Sequence, residues 1–174
     1  DNQQGADWID LLSTLDYSGD PAVPVGAVVT VLHDNRGQTP NGWSPSIDGF
    51  TLTGGVQLDF PTNINTIGGG THTPYGATGS LTAQGGGIYV HDSVNGLQVA
   101  DNVITGNSGS YGGGVRVGTP YLNSRNTNVA ITRNQIRDNG GSNLAGGIGI
   151  FQGSNGYQVT DNAICGNFSA EYGR

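Results

Sequence analysis

The sequence predicts an all-β fold in which short parallel strands stack repeat upon repeat. It does so through three features: a glycine-led apolar run that occurs three times, a block with two asparagines at constant spacing after each run, and a scarcity of helix formers. Of 174 residues, 32 are Gly and 17 are Asn, while Lys and Met are missing and Glu occurs once. Gly, Asn, Thr and Val in place of straight-chain side chains favour turn-rich β structure over helices. Leu, Ile, Val and Phe together number 39, just above the level at which a chain fails to bury enough surface to fold. Such a chain must use its apolar residues sparingly.

The repeats are legible residue by residue. Gly-Gly-Gly-Ile-Tyr-Val at 85–90, Gly-Gly-Gly-Val-Arg-Val at 112–117 and Gly-Gly-Ile-Gly-Ile at 146–150 open them. The blocks at 97–107, 129–139 and 157–167 follow, and they align without a gap. Asn134 lies 32 residues after Asn102, and Asn162 lies 28 after Asn134. The surplus falls mostly in 118–128, a loop lengthened between strands, which is how solenoids absorb insertions. Within each repeat the apolar residues alternate, as in Ile88 and Val90, then Leu97 and Val99, and Ile104 follows after a polar pair. Period two over short stretches means strands with one buried face. Three short strands per repeat, separated by turns, describe one coil of a parallel β-helix, with coils about 4.8 Å apart.

Stacking turns aligned positions into columns. Asn102, Asn134 and Asn162 form one, and Asn107, Asn139 and Asn167 another. A side-chain amide is both donor and acceptor, so stacked asparagines can bond to one another and satisfy buried turn backbone. Asp101, Arg133 and Asp161 precede the first column and predict an exposed, alternating ion-pair column of modest value. Leu97/Val129/Tyr157, Val99/Ile131/Val159 and Ile104/Ile136/Ile164 are the expected core.

Three segments follow from this pattern: an N-terminal cap or irregular segment over 1–27, irregular first coils with a wide insertion over 28–84, and regular coils over 85–174. In the first, the spacing of Trp8, Ile9, Leu11, Leu12 and Leu15 predicts a short amphipathic capping helix over 6–15. In the second, 28–32 is a strand candidate. The stretch 46–58 holds an Asp-Gly turn, a short strand and a Gly-Gly-Val-x-Leu run that reads as another first strand. Segment 59–84 reads as a wide insertion or loop. The third ends without a cap, so the last coil is expected to be covered by further coils of a longer parent, by a partner chain or by end-to-end self-association. Starting at Asp1 without Met, the chain reads as a processed or excised piece.

Residues 85–172 resemble the right-handed parallel β-helix repeats of secreted and cell-surface bacterial proteins. The resemblance rests on Gly-Gly-[Ile/Val]-x-[Val/Ile] followed by [Leu/Val/Tyr]-x-[Val/Ile]-x-x-Asn-x-Ile-x-x-Asn, three times over. It implies an extracellular location and an asparagine ladder at the tight turn between the second and third strands. It also implies a rival activity, because polysaccharide lyases, polygalacturonases and pectin esterases share this fold and carry their sites on the outer face of the first strand. The corresponding outward positions are Tyr89, Arg116 and Gly149, followed by His91 and Asp92. His91, Asp92 and Arg116 would then supply a base, an acid and a carboxylate clamp for an acidic polysaccharide, with Ca²⁺ as the cofactor such an enzyme would admit. The plainer reading makes them solvent-facing polar residues.

Motif checks favour the plainer reading. The Gly-His-Gly and Asn-Thr-Asp sets of polygalacturonases, the Arg-x-Pro-x-x-Arg of pectate lyases and the Ca²⁺-binding nonapeptide are all missing from the sequence. Six Arg, no Lys and a net charge of −7 provide no basic stripe for nucleic acid. No apolar run is long enough to span a membrane as a helix. Cys165 has no partner for a disulfide and no metal-ligand cluster around it. Asn167-Phe-Ser is formally a glycosylation sequon, but Asn167 lies in a ladder column and is expected to stay unmodified.

A structural or binding segment is therefore the expectation: a stalk, adhesive face or assembly module that needs no cofactor. Its exposed candidates for sugar or protein contact are Tyr121 and Arg125 in the long loop, and His72 and Tyr75 in 70–80.

Overall fold

The structure, a computed structural model, describes residues 15–17, 26–31, 44–56, 81–83, 86–91, 93–109, 111–118, 124–141 and 144–169. Over these residues it is all-β, and every strand-to-strand pairing is parallel. The chain visits four sheets in the same order in successive repeats. The first sheet stacks Ala27–Val31, Gly86–Val90, Val115–Val117 and Ile148–Ile150. The second stacks Ser46–Asp48, Gln98–Ala100, Ala130–Thr132 and Gln158–Thr160. The third stacks Thr51–Leu52, Val103–Thr105, Gln135–Arg137 and Ala163–Cys165. A fourth, of two-residue strands that the three-strand pattern does not include, holds Ser108–Gly109, Gly140–Gly141 and Phe168–Ser169.

Register follows the sequence alignment. Val115 lies opposite Ile88 and Ile148, Ile131 opposite Val99 and Val159, and Ile136 opposite Ile104 and Ile164. Because strand side chains alternate between faces, these columns point inward together. Ile88, Val90, Val99, Ile104, Val115, Val117, Ile131 and Ile136 are completely buried. Each such side chain contributes about 1.5–3 kcal/mol of burial, so a narrow core suffices for a chain this poor in large apolar residues.

The strands are short because left-handed corners end them. Gly49, Asp101, Arg133 and Asp161, with φ of 75°, 55°, 56° and 57°, turn the chain from the second sheet toward the third. Gly106, Asp138 and Gly166, at 66°, 58° and 65°, do the same before the fourth. An asparagine follows each corner of the later repeats, and the columns bond as their alignment predicts. Asn134 donates its backbone N–H and its Nδ2 to the Oδ1 of Asn162, both at 2.9 Å, and its Nδ2 also reaches the carbonyl of Val99 at 2.8 Å. Asn107, Asn139 and Asn167 repeat the scheme.

The N-terminal half differs from the sequence expectation in three ways. Among the described residues there is no helix. Leu15, the last residue of the expected capping helix, begins a strand, Leu15–Tyr17, whose backbone pairs with Leu81–Ala83; 6–14 lie outside the described residues. That same pairing makes the end of the expected 59–84 loop a strand, because a partner there satisfies its backbone groups; 59–80 lie outside the described residues.

The Gly-Gly-Val run of 54–56 is not a first strand. Its Gly55 carbonyl accepts Ser108 N–H at 2.8 Å, placing it beside the fourth sheet, and Val56 exchanges two hydrogen bonds with Gly26. The physical reason is that Gly55 packs at the corner position, its N–H on Asn107 Oδ1, so close to Gly86 that a Cβ would strike the Gly86 carbonyl. The first-strand position is filled instead by Ala27–Val31, which pairs in register with Gly86–Val90.

Candidate functional site

The outer face of the first sheet is where catalytic groups were sought. Strand alternation that buries Val115 and Val117 in the core turns Arg116 to the other face, between Tyr89 and Gly149 in neighbouring strands. Facing away from the core does not expose it. Arg116 has 0% of its surface accessible, and Tyr89, Tyr111 and His91 are buried with it. The expectation of ordinary solvent-facing polar residues is thus corrected for Arg116 and His91, and the reason is aromatic cover. The guanidinium carbon lies 4.6 Å from the Tyr89 ring centre, 5.3 Å from Tyr111 and 5.9 Å from Phe151.

The sequence makes room for this cover. A Cβ at Gly149 would meet the Tyr111 carbonyl at 2.6 Å and the Phe151 ring at 2.9 Å, so glycine there lets both residues close over the sheet. Tyr111 and Phe151 meet edge to face at 5.9 Å. Arg116 Nε donates to the Gly118 carbonyl at 2.8 Å. Burial pulls its pKa down, opposed by Tyr89 and Tyr111. The cation–π stack and the carbonyl contact offset part of the cost of taking the charge out of water.

His91 packs edge-on against Tyr89, with ring centres 5.5 Å apart. Its backbone is held on both sides: N–H donates to the Val31 carbonyl at 3.0 Å, and its own carbonyl accepts Asn126 Nδ2 at 3.2 Å. Arg116 and His91 therefore share a neighbour in Tyr89. Asp92, the expected acid, lies outside the described residues, as do Tyr121, His72 and Tyr75. Arg125 is described and exposed, in a left-handed conformation with φ of 50°.

Sequence reasoning passed over Tyr111, Phe151 and Asn126. Asn126 is fully buried; its Oδ1 accepts Val94 N–H at 3.0 Å, and with Ser124 it anchors the end of the long loop. Its signal was weak because the aligned neighbours are Val94 and Ser154, so no asparagine column announces it. Tyr111 and Phe151 flank strands instead of lying in an aligned block, and nothing in period-two alternation marks them.

On the corner column, Arg133 grips Asp101 with both ends of its guanidinium, Nε to Oδ1 at 3.0 Å and Nη2 to Oδ2 at 2.6 Å. This bond, more than the charge alone, lowers the Asp101 pKa and raises that of Arg133. Asp161 adds only a weaker field at Arg133, so the expected alternating column closes on one side. Among the described residues, no three His, Cys, Asp or Glu side chains cluster to hold a metal. Cys165 is exposed.

Compared with known families, characterised proteins and solved structures, the chain matches none closely enough to lend it a family or an activity.

Proposed function

We propose that the chain is a right-handed parallel β-helix solenoid serving as a rigid structural or binding module of a secreted or cell-surface bacterial protein. Its work on this reading is to hold a surface at a fixed spacing, as stalk, adhesive face or assembly unit. The single observation that carries the reading is the burial of Arg116 beneath Tyr89, Tyr111 and Phe151. The outer-face cation that a lyase would present to a uronate is spent here on joining neighbouring repeats. In-register sheets and two asparagine columns support the rigidity. Recognition of polysaccharide or protein would then fall to the loop that bears Arg125, with Tyr121, His72 and Tyr75 as further candidates.

The test pairs activity with stability. The full chain is assayed on pectate and alginate, with and without Ca²⁺, beside Arg116→Ala and Arg125→Ala. The scaffold reading expects no turnover from any of them and a lowered unfolding midpoint in Arg116→Ala. Turnover by the parent, lost in an Arg116→Ala protein that is still folded, would establish the polysaccharide lyase or hydrolase reading instead.

A further inference from the structure

One column asparagine is chemically labile beyond the others. Of the six, only Asn139 precedes a glycine; the rest precede Val103, Ser108, Gln135, Ala163 and Phe168. An asparagine followed by glycine is open to attack by its own backbone, because no side chain shields the glycine nitrogen and the unfolded chain turns freely there. Packing nevertheless fixes both residues. The column uses the amide of Asn139, and a Cβ at Gly140 would lie 2.6 Å from the Phe168 ring.

In the stack this pair is held shut. Asn139 Oδ1 accepts the backbone N–H of Asn107 at 3.1 Å and its Nδ2 at 2.9 Å. Asn139 Nδ2 donates to the Ile104 carbonyl and to Asn167 Oδ1, both at 2.9 Å. The Gly140 N–H, whose proton must leave before the nitrogen can attack, donates to the Asn107 carbonyl at 2.8 Å. Asn139 has 0% of its surface accessible and Gly140 is buried beside it, so both are shielded from base and solvent.

We propose that Asn139–Gly140 is a self-modification site that stacking closes and unfolding opens, and that its product bars the chain from stacking again. Once the repeats part, the Gly140 nitrogen gives its proton to solvent and bonds to Asn139 Cγ. The Cγ–Nδ2 bond breaks and ammonia leaves. One water then opens the succinimide ring at either carbonyl, leaving aspartate or isoaspartate with no change of oxidation state. An ionised carboxylate has no hydrogen to donate. At 139 it would set a charged oxygen against the Ile104 carbonyl and Asn167 Oδ1 in a fully buried place. Isoaspartate also lengthens the backbone by one carbon, which breaks the residue-for-residue register of stacked strands.

Asn95–Gly96 provides the contrast. Asn95 is exposed, and among the described residues its side chain acts only as an acceptor, Oδ1 taking Thr127 Oγ1 at 2.9 Å and Asn128 Nδ2 at 3.1 Å. Aspartate there keeps both bonds. Asn139 alone of the two thus turns time spent unfolded into a permanent loss of the folded state.

For the test, the full chain is held in urea at mildly alkaline pH for increasing times, beside a sample kept folded in the same buffer without urea. Both are diluted to refolding conditions, folded and unfolded material are separated by size exclusion, and conversion at 139 and 95 is read by peptide mass spectrometry with fragmentation. Conversion at 139 should be at least about tenfold slower in the folded sample. Refolding yield should fall as conversion at 139 rises, with converted 139 confined to the fraction that fails to refold. Equal conversion in folded and unfolded samples overturns the proposal, as does refolded protein carrying converted 139 in the same share as the unrefolded. Two variants decide the same point where the parent refolds poorly. Asn139→Asp should fail to fold or show a lowered unfolding midpoint, while Asn95→Asp keeps the parent's midpoint. A folded Asn139→Asp protein with the parent's midpoint, or equal losses in the two variants, overturns it too.

Discussion

Asn102 donates both its backbone N–H and its Nδ2 to one oxygen, the Oδ1 of Asn134, at 3.0 Å each. Two residues 32 apart in sequence are thereby locked at one corner, and the amide of the second residue is passed to the next repeat. Asn134→Ala takes the Oδ1 acceptor from the buried Asn102 N–H and removes the Nδ2 contact to the Val99 carbonyl, while Asn102 Nδ2 keeps only the Ile47 carbonyl. The expected loss is about 3 kcal/mol in chemical denaturation. Asn162→Ala, in the more exposed last described repeat, should cost less; a loss at Asn134→Ala no larger than that of an exposed substitution, below about 0.5 kcal/mol, would show that the column does not stabilise the stack.

Core position predicts a similar gradient. Ile136 is completely buried and Ile164 half exposed, although they are partners in register. Ile136→Ala should destabilise by about 3–4 kcal/mol and Ile164→Ala by about 1 kcal/mol, measured in denaturant titrations. Equal costs would indicate that the last repeat is covered in solution.

Two glycines are required for different reasons, and alanine separates them. At Gly114 a Cβ would sit 2.6 Å from the Gly147 carbonyl and 2.8 Å from Ile136 Cγ2, so Gly114→Ala forces repeats apart. The expected cost is about 2–3 kcal/mol. At Gly49 nothing lies within 4 Å, but φ is 75°; Gly49→Ala should cost only the left-handed strain, about 1 kcal/mol. Thermal unfolding of both variants, converted at a common temperature, checks the order.

The guanidinium stack predicts that Arg116→Lys will not substitute for arginine. Lysine has no planar face to lay against Tyr89 at 4.6 Å. Arg116→Ala and Arg116→Lys should both lower stability, by about 2–4 kcal/mol for alanine. Full retention of the unfolding midpoint in Arg116→Lys would refute a stacking role.

Acid should weaken the Arg133 contact. Asp101 has a lowered pKa in the folded chain, from an ordinary value of 3.8, mainly through its hydrogen bond to Arg133. A carboxylate with a depressed folded pKa stabilises above its unfolded pKa, and that stability is lost as pH falls through the folded value. Between about pH 5 and pH 2 the parent should therefore lose more of its unfolding midpoint than Arg133→Gln, the two curves converging at the acid end. Parallel curves would exclude the pair as a source of acid sensitivity.

Much of this was legible in the sequence because a repeat writes its register into itself. The alignment of 97–107, 129–139 and 157–167 placed Val99 against Ile131 and Asn102 against Asn134, since stacked strands must match residue for residue to keep one face buried. The first repeat was harder to see. It has Phe50 and Gly55 where the others have asparagine, so its strands at Ser46–Asp48 and Thr51–Leu52 joined the stack without its signature. The fourth strand escaped notice because two-residue segments such as Gly140–Gly141 carry no alternation.

By itself, then, the sequence determined the parallel stack, its core columns and its asparagine columns, because these follow from local periodicity repeated in space. What only the tertiary structure decided is the state of the outer face. Arg116 points away from the core by alternation, and whether it then meets water depends on Tyr111 and Phe151 folding over it from outside the aligned blocks. No periodicity encodes that packing. Long-range contact turned the residue that looked most like a reactive cation into a buried joint between repeats.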